Sequence, residues 1–223
     1  MKNNLNILYE DNHLIVVVKP YNVLSQSDNT KDIDMLTIIK NYIKEKYNKP
    51  GNVYLGLVHR LDRPTGGIMV FAKTSKAAAR LSKQIKDNKF TKKYLAVVHG
   101  ILEKKENTLV NYLKKDENNN SLITNEKDGK YAKLHYKVLK ESKDYSVLDI
   151  LLETGRHHQI RVQLKNIGHP LYGDQRYGLN DKKQLGLFAY HLEFYHPVTK
   201  EKLIFEYMPK EEIFKWKNIK EYY

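Results

Sequence analysis

The apolar residues of this chain gather in runs of five or six, too short for helices and bounded by turn residues. Leu14 to Val18 (LIVVV) stops at Lys19-Pro20, Val53 to Val58 (VYLGLV) precedes a polar loop, and Ile68 to Ala72 (IMVFA) follows it. Tyr94 to Val98 (YLAVV) is a fourth run. Each reads as a buried strand. Residues 108–153 continue as a meander, with TLVNYL, SLIT, YAKLHYKVL and YSVLDILLE separated by polar turns at Asp116 to Asn120 and Glu126 to Lys130. The asparagine and lysine density of the first turn predicts a mobile loop. Helical spacing is rarer. Asp34 or Asp32 starts one helix, with Leu36, Ile39 and Ile43 on a face and a break at Asn48 to Asn52. Ser75 reads as the N-cap of a second, carrying Ala78, Leu81 and Ile85. A third follows Gly155, with Ile160, Leu164 and Ile167 on one face and Gly168 at its C′ position. A fourth, Glu211 to Lys220, presents Ile213, Trp216 and Ile219. Runs of strands with a few interspersed helices predict an α+β fold with a largely antiparallel or mixed sheet. The regular βα alternation of a Rossmann fold is missing, as are GxGxxG and a phosphate loop ending in GK[ST].

The chain has 223 residues, enough for one large domain or two small lobes with a real core. Its net charge of +13, from 39 basic and 26 acidic residues, favours an anionic partner, with nucleic acid first in line. Lysine greatly outnumbers arginine, and asparagine, isoleucine and tyrosine are abundant, which is also the usage of an A+T-rich genome. With no cysteine there is no disulfide framework and no thiolate nucleophile or metal site, a composition that fits the cytoplasm. No run approaches the 18 apolar residues of a membrane span, and the N-terminus lacks the apolar stretch of a secretory signal.

Between the second and third apolar runs lies His59-Arg60-Leu61-Asp62-Arg63-Pro64-Thr65-Gly66-Gly67. A carboxylate flanked by two arginines sits on a short loop held by strands on both sides. Aspartate caps many ordinary turns, but a loop on a rigid scaffold is also where catalytic groups concentrate.

That segment resembles the signature loop of the RluA family of RNA pseudouridine synthases, and the likeness recurs in order along the chain. Tyr9-Glu10-Asp11, the run to Val18 and Lys19-Pro20 resemble the family's opening motif. Lys93-Tyr94-Leu95-Ala96-Val97-Val98-His99-Gly100 resembles its tyrosine motif. Thr154-Gly155-Arg156-His157-His158-Gln159-Ile160-Arg161 and Gly168-His169-Pro170-Leu171-Tyr172-Gly173-Asp174 resemble its arginine motif, and Ala189 to Pro197 its closing strand.

The resemblance implies a single pseudouridine synthase catalytic domain over residues 1–223, without the extra N-terminal RNA-binding domain of several relatives. It implies a bent, mixed sheet in two halves with flanking helices and an RNA cleft across the middle. The activity it implies is isomerisation of uridine in structured RNA, ribosomal RNA first and transfer RNA second, in the cytoplasm, with no membrane and no obligate protein partner. Breaking the bond from nitrogen 1 to ribose carbon 1′ and rejoining ribose to carbon 5 is redox-neutral and needs no group donor, so neither cofactor nor metal is expected. The resemblance makes Asp62 the catalytic carboxylate, acting on carbon 6 of the base, on carbon 1′ of the sugar, or through a glycal. It makes Tyr94 the ring that stacks on uracil, its hydroxyl well suited to taking the carbon 5 proton. It makes Arg161 the cation that keeps Asp62 ionised against burial.

Enzymes that act on a base extrude it from its stack, and Lys92, Lys93 and Arg156, with Lys83 and Lys86 on a basic helix, are candidates for gripping the distorted backbone. Arg60 and Arg63 either hold phosphate or brace the loop. His157 and Arg161 share a face in either regular structure, whereas His157 and His158 point apart and lack a third ligand for a metal. Two positions depart from the family pattern. Pro64 stands where many relatives have an acidic residue, and Gly66-Gly67 where they have serine-glycine; the proline stiffens the loop without touching Asp62. Asn22 stands where glycine is usual, and asparagine tolerates the left-handed conformation such a turn needs. Two other classes compete: a catalytically silent RNA-binding protein of the same fold, and a glycosidase or phosphodiesterase with paired carboxylates. The intact set Asp62, Tyr94 and Arg161 argues against the first, and the missing partner carboxylate against the second.

Overall fold

The computed structural model describes residues 5–179 and 183–214. The chain divides into two compact units, one from Met1–Phe90 with His191–Tyr207, the other from Thr91–Tyr190 with Met208–Tyr223.

In the first unit, β1 (Asn6–Glu10), β2 (Leu14–Lys19) and β4 (Gly66–Ala72) pair antiparallel in that order, and the short β3 (Gly56–Leu57) pairs with the end of β4. Every residue of β2 and β4 is buried, which is why both read as unbroken apolar runs instead of alternating ones. Asp11 turns β1 into β2: its Oδ1 accepts from the backbone N–H of His13 at 2.7 Å and of Leu14 at 2.8 Å. Helix α1 (Met35–Lys46) is capped by Asp34, whose side chain accepts from Thr37 N. Its buried face is Met35, Ile39 and Ile43, so Leu36 sits beside the expected stripe and not in it. Helix α2 (Ser75–Lys86) takes Thr74 as its N-cap, one residue before the expected Ser75, with Thr74 Oγ1 accepting from Ala77 N at 3.2 Å. Ala77 and Leu81 face the core, with Ala78 and Ile85 at the edge of that face. They close over Leu14, Val16, Ile68, Val70, Phe90, Leu192 and Phe194.

The strand expected over Val53 to Val58 shrinks to Gly56–Leu57. The segment instead runs close under α2: a methyl group on Gly56 would meet Ala78 Cβ at 2.9 Å. Tyr54 stays half exposed, so the run is not a uniformly buried strand.

In the second unit the expected strands form, but not as a simple meander, because the YAKLHYKVL strand pairs with TLVNYL and not with SLIT. Strands β5 (Thr91–His99), β6 (Glu106–Lys115), β7 (Ser121–Thr124), β8 (Lys130–Glu141) and β9 (Tyr145–Leu152) stand in the order β5-β9-β8-β6-β7, all antiparallel. The Asp116 to Asn120 turn is tied by its own polar groups: Asp116 N donates to Asn120 O at 2.8 Å, and Asn120 N to Asp116 Oδ1 at 2.7 Å. Helix α3 (Gln159–Asn166) packs Val162 against Leu113, Ala132 and Tyr177, and Gln163 Nε2 donates to Asn111 Oδ1 at 2.7 Å. It ends at Gly168, whose φ of +84° is the left-handed exit glycine supplies at little cost.

Strand β10 (Leu187–Tyr195) pairs antiparallel with β11 (Lys202–Glu206). At the C-terminal end Glu212–Phe214 forms one 3₁₀ turn. The helix expected over Glu211 to Lys220, with Trp216 and Ile219, lies outside the described residues beyond Phe214. Among the described residues no helix is long and apolar enough to cross a membrane. The α+β class expected from the sequence is the class observed.

Candidate active site

Asp62 is half-buried on the loop leading into β4, and its neighbours in sequence are clamped from two sides. Its own carbonyl accepts from Thr65 N at 3.0 Å, closing a turn over Arg63-Pro64. On one side, the buried Ser25 Oγ donates to Leu61 O at 2.7 Å and accepts from Leu61 N at 3.2 Å. On the other, Lys19 Nζ donates to Arg63 O at 3.1 Å, and also to Pro20 O at 3.0 Å and Val23 O at 2.7 Å. An ammonium has three donors, and all three are spent on carbonyls. Lys19 is fully buried, which pulls its pKa down to about 7; the nearby Asp62 carboxylate acts in the opposite sense, and Arg63 reinforces burial.

The arginines around Asp62 diverge. Arg63 braces the loop, through Nη2 to Asp32 Oδ2 at 2.6 Å and Nε to Asn22 O at 3.3 Å. Asn22 has φ 62°, the left-handed conformation expected of it. Arg60 is exposed and has no hydrogen bond or ion pair among the described residues. His59 is structural: its Nε2 accepts from Val70 N at 3.0 Å and its ring packs edge-on to Phe90.

Tyr94 is buried in β5, opposite Ile150 of β9. Alternation along the strand puts Lys92 on the same face as Tyr94 and Lys93 on the other. Burial lowers the Lys92 pKa below the ordinary lysine range.

Arg161, on the first turns of α3, is buried and grips Asp174 with a two-pronged pair, Nε to Oδ2 at 2.8 Å and Nη2 to Oδ1 at 2.7 Å. Its guanidinium lies 5.1 Å from the Tyr177 ring centroid. Asp174 Oδ1 also accepts from the backbone N–H of Arg176 and Tyr177, each at 3.0 Å. Burial alone would raise the Asp174 pKa, but the Arg161 hydrogen bonds and charge outweigh it, and the carboxyl lies below its usual range.

The segment before α3 is held by Gln159. Its Oε1 accepts from Thr154 Oγ1 at 2.8 Å and Arg156 N at 3.0 Å, and its Nε2 donates to Lys133 O. Arg156 is exposed, with Nε on Tyr131 O at 2.8 Å. His158 occupies the N-cap with φ 50°. That left-handed residue breaks the regular geometry assumed for the pair: the His157 and His158 rings stack at 3.6 Å instead of pointing apart. It also removes His157 from the helix, so His157 and Arg161 do not share a helical face. His157 Nδ1 meets Ser121 Oγ at 3.1 Å, and His158 Nδ1 meets the Tyr177 hydroxyl at 2.8 Å.

Residues 13–166 match the family model described as RNA pseudouridylate synthase. The chain is 34% identical over 218 residues to the ribosomal large subunit pseudouridine synthase C of Buchnera aphidicola subsp. Schizaphis graminum, covering 91% of this chain and 67% of that protein. It is 35% identical over 216 residues to an uncharacterised RNA pseudouridine synthase of Aquifex aeolicus, covering 91% and 68%. The chain belongs to the RluA family of RNA pseudouridine synthases. The solved structure of human RNA pseudouridylate synthase domain containing 4 shares the synthase's fold, with a TM-score of 0.77, 21% identity, and 92% and 89% of the two chains covered.

The synthase is an isomerase that converts uridine to pseudouridine in RNA. A carboxylate on a fixed backbone is a group able to attack covalently or to stabilise a cationic sugar. Of the expected RNA-gripping residues, Arg63 is committed to the loop and Lys83 pairs with Asp87 on the exposed side of α2. Ser25, Lys19, Gln159 and Asp174 are the residues the motif reading did not single out. Lys19, Gln159 and Asp174 fall inside the recognised motifs, yet their partners become visible only in the fold.

Proposed function

We propose that this synthase isomerises a uridine of ribosomal RNA with Asp62 as its anionic catalytic group. Tyr94 is the ring on which the uracil stacks, Arg161 the cation of the reaction, and residues 1–223 act as one catalytic domain. The observation that carries the reading is the double clamp on the Asp62 loop, Ser25 at Leu61 and Lys19 at Arg63. A buried lysine and a buried serine spent on backbone atoms flanking one half-buried carboxylate are a costly arrangement for a mere turn, and they serve a group whose position matters. Attack on carbon 6, attack on carbon 1′ and elimination all draw on the same ionised carboxylate. Ribosomal RNA is preferred because a relative covering 91% of the chain is named for the large ribosomal subunit; transfer RNA is the second choice. Arg60 and Arg156, both exposed, serve the RNA backbone.

The test is to map pseudouridine in ribosomal and transfer RNA from a deletion strain, complemented with wild type or Asp62→Asn. A ribosomal site that vanishes and returns only with wild type supports the reading. A site lost from transfer RNA alone moves the target, and rescue by Asp62→Asn removes Asp62 from its role.

A further inference from the structure

Among the described residues Lys92 has no hydrogen bond and no acidic partner, although it stands in a sheet and is only partly exposed. Cations so placed are ordinarily paired. Lys73 and Lys105, by contrast, lie on Glu10 and Glu141. The Lys92 ammonium lies against the turn after β9: a methyl group on Gly155 would stand 3.4 Å from its Nζ. Gly155 itself is exposed, so bare backbone borders the ammonium where a side chain would otherwise cover it. Arg156, the next residue, is exposed and anchored by its Nε to Tyr131 O, a second cation at the same turn. Lys92 also shares the β5 face of Tyr94, two residues on.

We propose that Lys92 is a substrate-binding residue whose ammonium takes a phosphodiester of the RNA strand at the Gly155 turn, with Arg156 beside it. This deepens the function proposed above and rests on its assumption that the Tyr94 face of β5 meets RNA. Among the described residues the lysine is left without a protein partner, because its partner arrives with the substrate. A phosphate offers the charge that the site lacks, and the bare Gly155 backbone leaves it room to approach. Lys93, on the opposite face, takes no part.

The test uses the full chain and a labelled stem-loop RNA with uridines in its loop. Binding is measured across a salt titration for wild type, Lys92→Met, Lys92→Arg and, as a control of equal charge loss, Lys137→Gln on β8. Lys92→Met is expected to weaken binding about tenfold at low salt and to flatten the log–log salt slope by about 0.7–0.9, one contact's worth. Lys92→Arg should keep most of the affinity, and Lys137→Gln should change the slope by less than half as much. A second arm leaves the protein untouched. A single neutral methylphosphonate is walked through the RNA loop, and one position should cost wild type the same tenfold while costing Lys92→Met nothing further. An unchanged slope in Lys92→Met, or methylphosphonate losses that add fully to the mutation at every position, would overturn the proposal. Neither arm needs turnover, so both can be read in an Asp62→Asn background. If Tyr94→Leu weakens binding while Lys92→Met does not, the failure belongs to Lys92. If neither matters, the reading of that strand face fails with it.

Discussion

At the scale of single residues, the groups around Asp62 and those around Arg161 each spend their hydrogen bonds on orientation within their own unit. Asp174 shows this most directly. Its side chain has no exposed surface, and Arg161 is 6% exposed, so the pair is a buried bidentate ion pair. Such a pair adds little net stability, but removing one partner strands the other charge and costs about 3–5 kcal/mol. Asp174→Asn is therefore expected to lower unfolding stability by about that amount and single-turnover activity by more than a hundredfold. Urea unfolding and single-turnover kinetics at one temperature check both. The Arg161→Met, Asp174→Asn double variant should be less impaired in activity than the product of the singles, because Asp174 acts through Arg161. Strict multiplicativity would separate the two residues. At Asp62 the expectation is sharper. Asp62→Asn keeps the shape and the hydrogen-bonded turn but not the negative charge, so isomerisation should vanish while thermal unfolding shifts little. Turnover within tenfold of wild type would mean that the carboxylate is not the reacting group.

At the scale of elements, the sequence was legible wherever a pattern is local. The buried runs of β2 and β4 and the strands β5 to β9 follow from apolar periodicity, α1 is found with its Asp34 cap, and α3 with its Gly168 exit. Errors came where the partner is distant. Val53 to Val58 has strand-like composition, but Gly56 lets α2 approach and only two residues pair. Lys19 and Ser25 reach residues 44 and 36 positions away, a span no local pattern encodes. The His157-His158 geometry failed because one left-handed residue replaced regular alternation. Two predictions belong to this scale. Thr74→Ala removes the side-chain acceptor at the start of α2 and should cost about 1 kcal/mol by thermal unfolding, whereas Ser75→Ala, one residue inside the helix, should be near neutral. Glu10, at the end of β1, is bonded by Lys46, Lys73, Tyr42 and Tyr47. Burial pushes its pKa up, but these donors prevail and bring it from 4.5 down to about 2. A carboxylate with a depressed folded pKa stabilises fully above its unfolded value and loses that contribution as pH falls through its folded one. The Glu10 contribution, about 1–2 kcal/mol after allowing for the exposed Lys46, should thus fade between about pH 4.5 and pH 2. Glu10→Gln should be less stable at pH 7 and should lack that part of the acid limb in a pH series of denaturant melts.

At the scale of the whole molecule, the +13 charge is the property that acts before any residue touches substrate. Many lysines are already paired, Lys46 and Lys73 with Glu10, Lys105 with Glu141, Lys133 with Glu153 and Lys202 with Glu193, so the excess resides in those that are not. A surface with that excess attracts phosphate irrespective of sequence, and base identity is read elsewhere. Binding to structured RNA should therefore be strongly salt-dependent with weak intrinsic sequence preference. If about five phosphates are neutralised, affinity should fall with a log–log slope near −3.5 to −4.5, at about 0.7–0.9 per contact. Selection among uridines then depends on the cost of unstacking the base, lowest in a loop or at a helix junction. The comparison is a loop-bearing fragment against a fully paired control of the same length, each titrated with salt. The loop fragment should bind more tightly at every salt concentration, while both lose affinity with similar slopes, because the phosphate contribution is common and only the unstacking cost differs. Equal affinity for the two would deny that flipping selects the substrate, and affinity indifferent to salt would deny that the surplus lysines hold RNA at all.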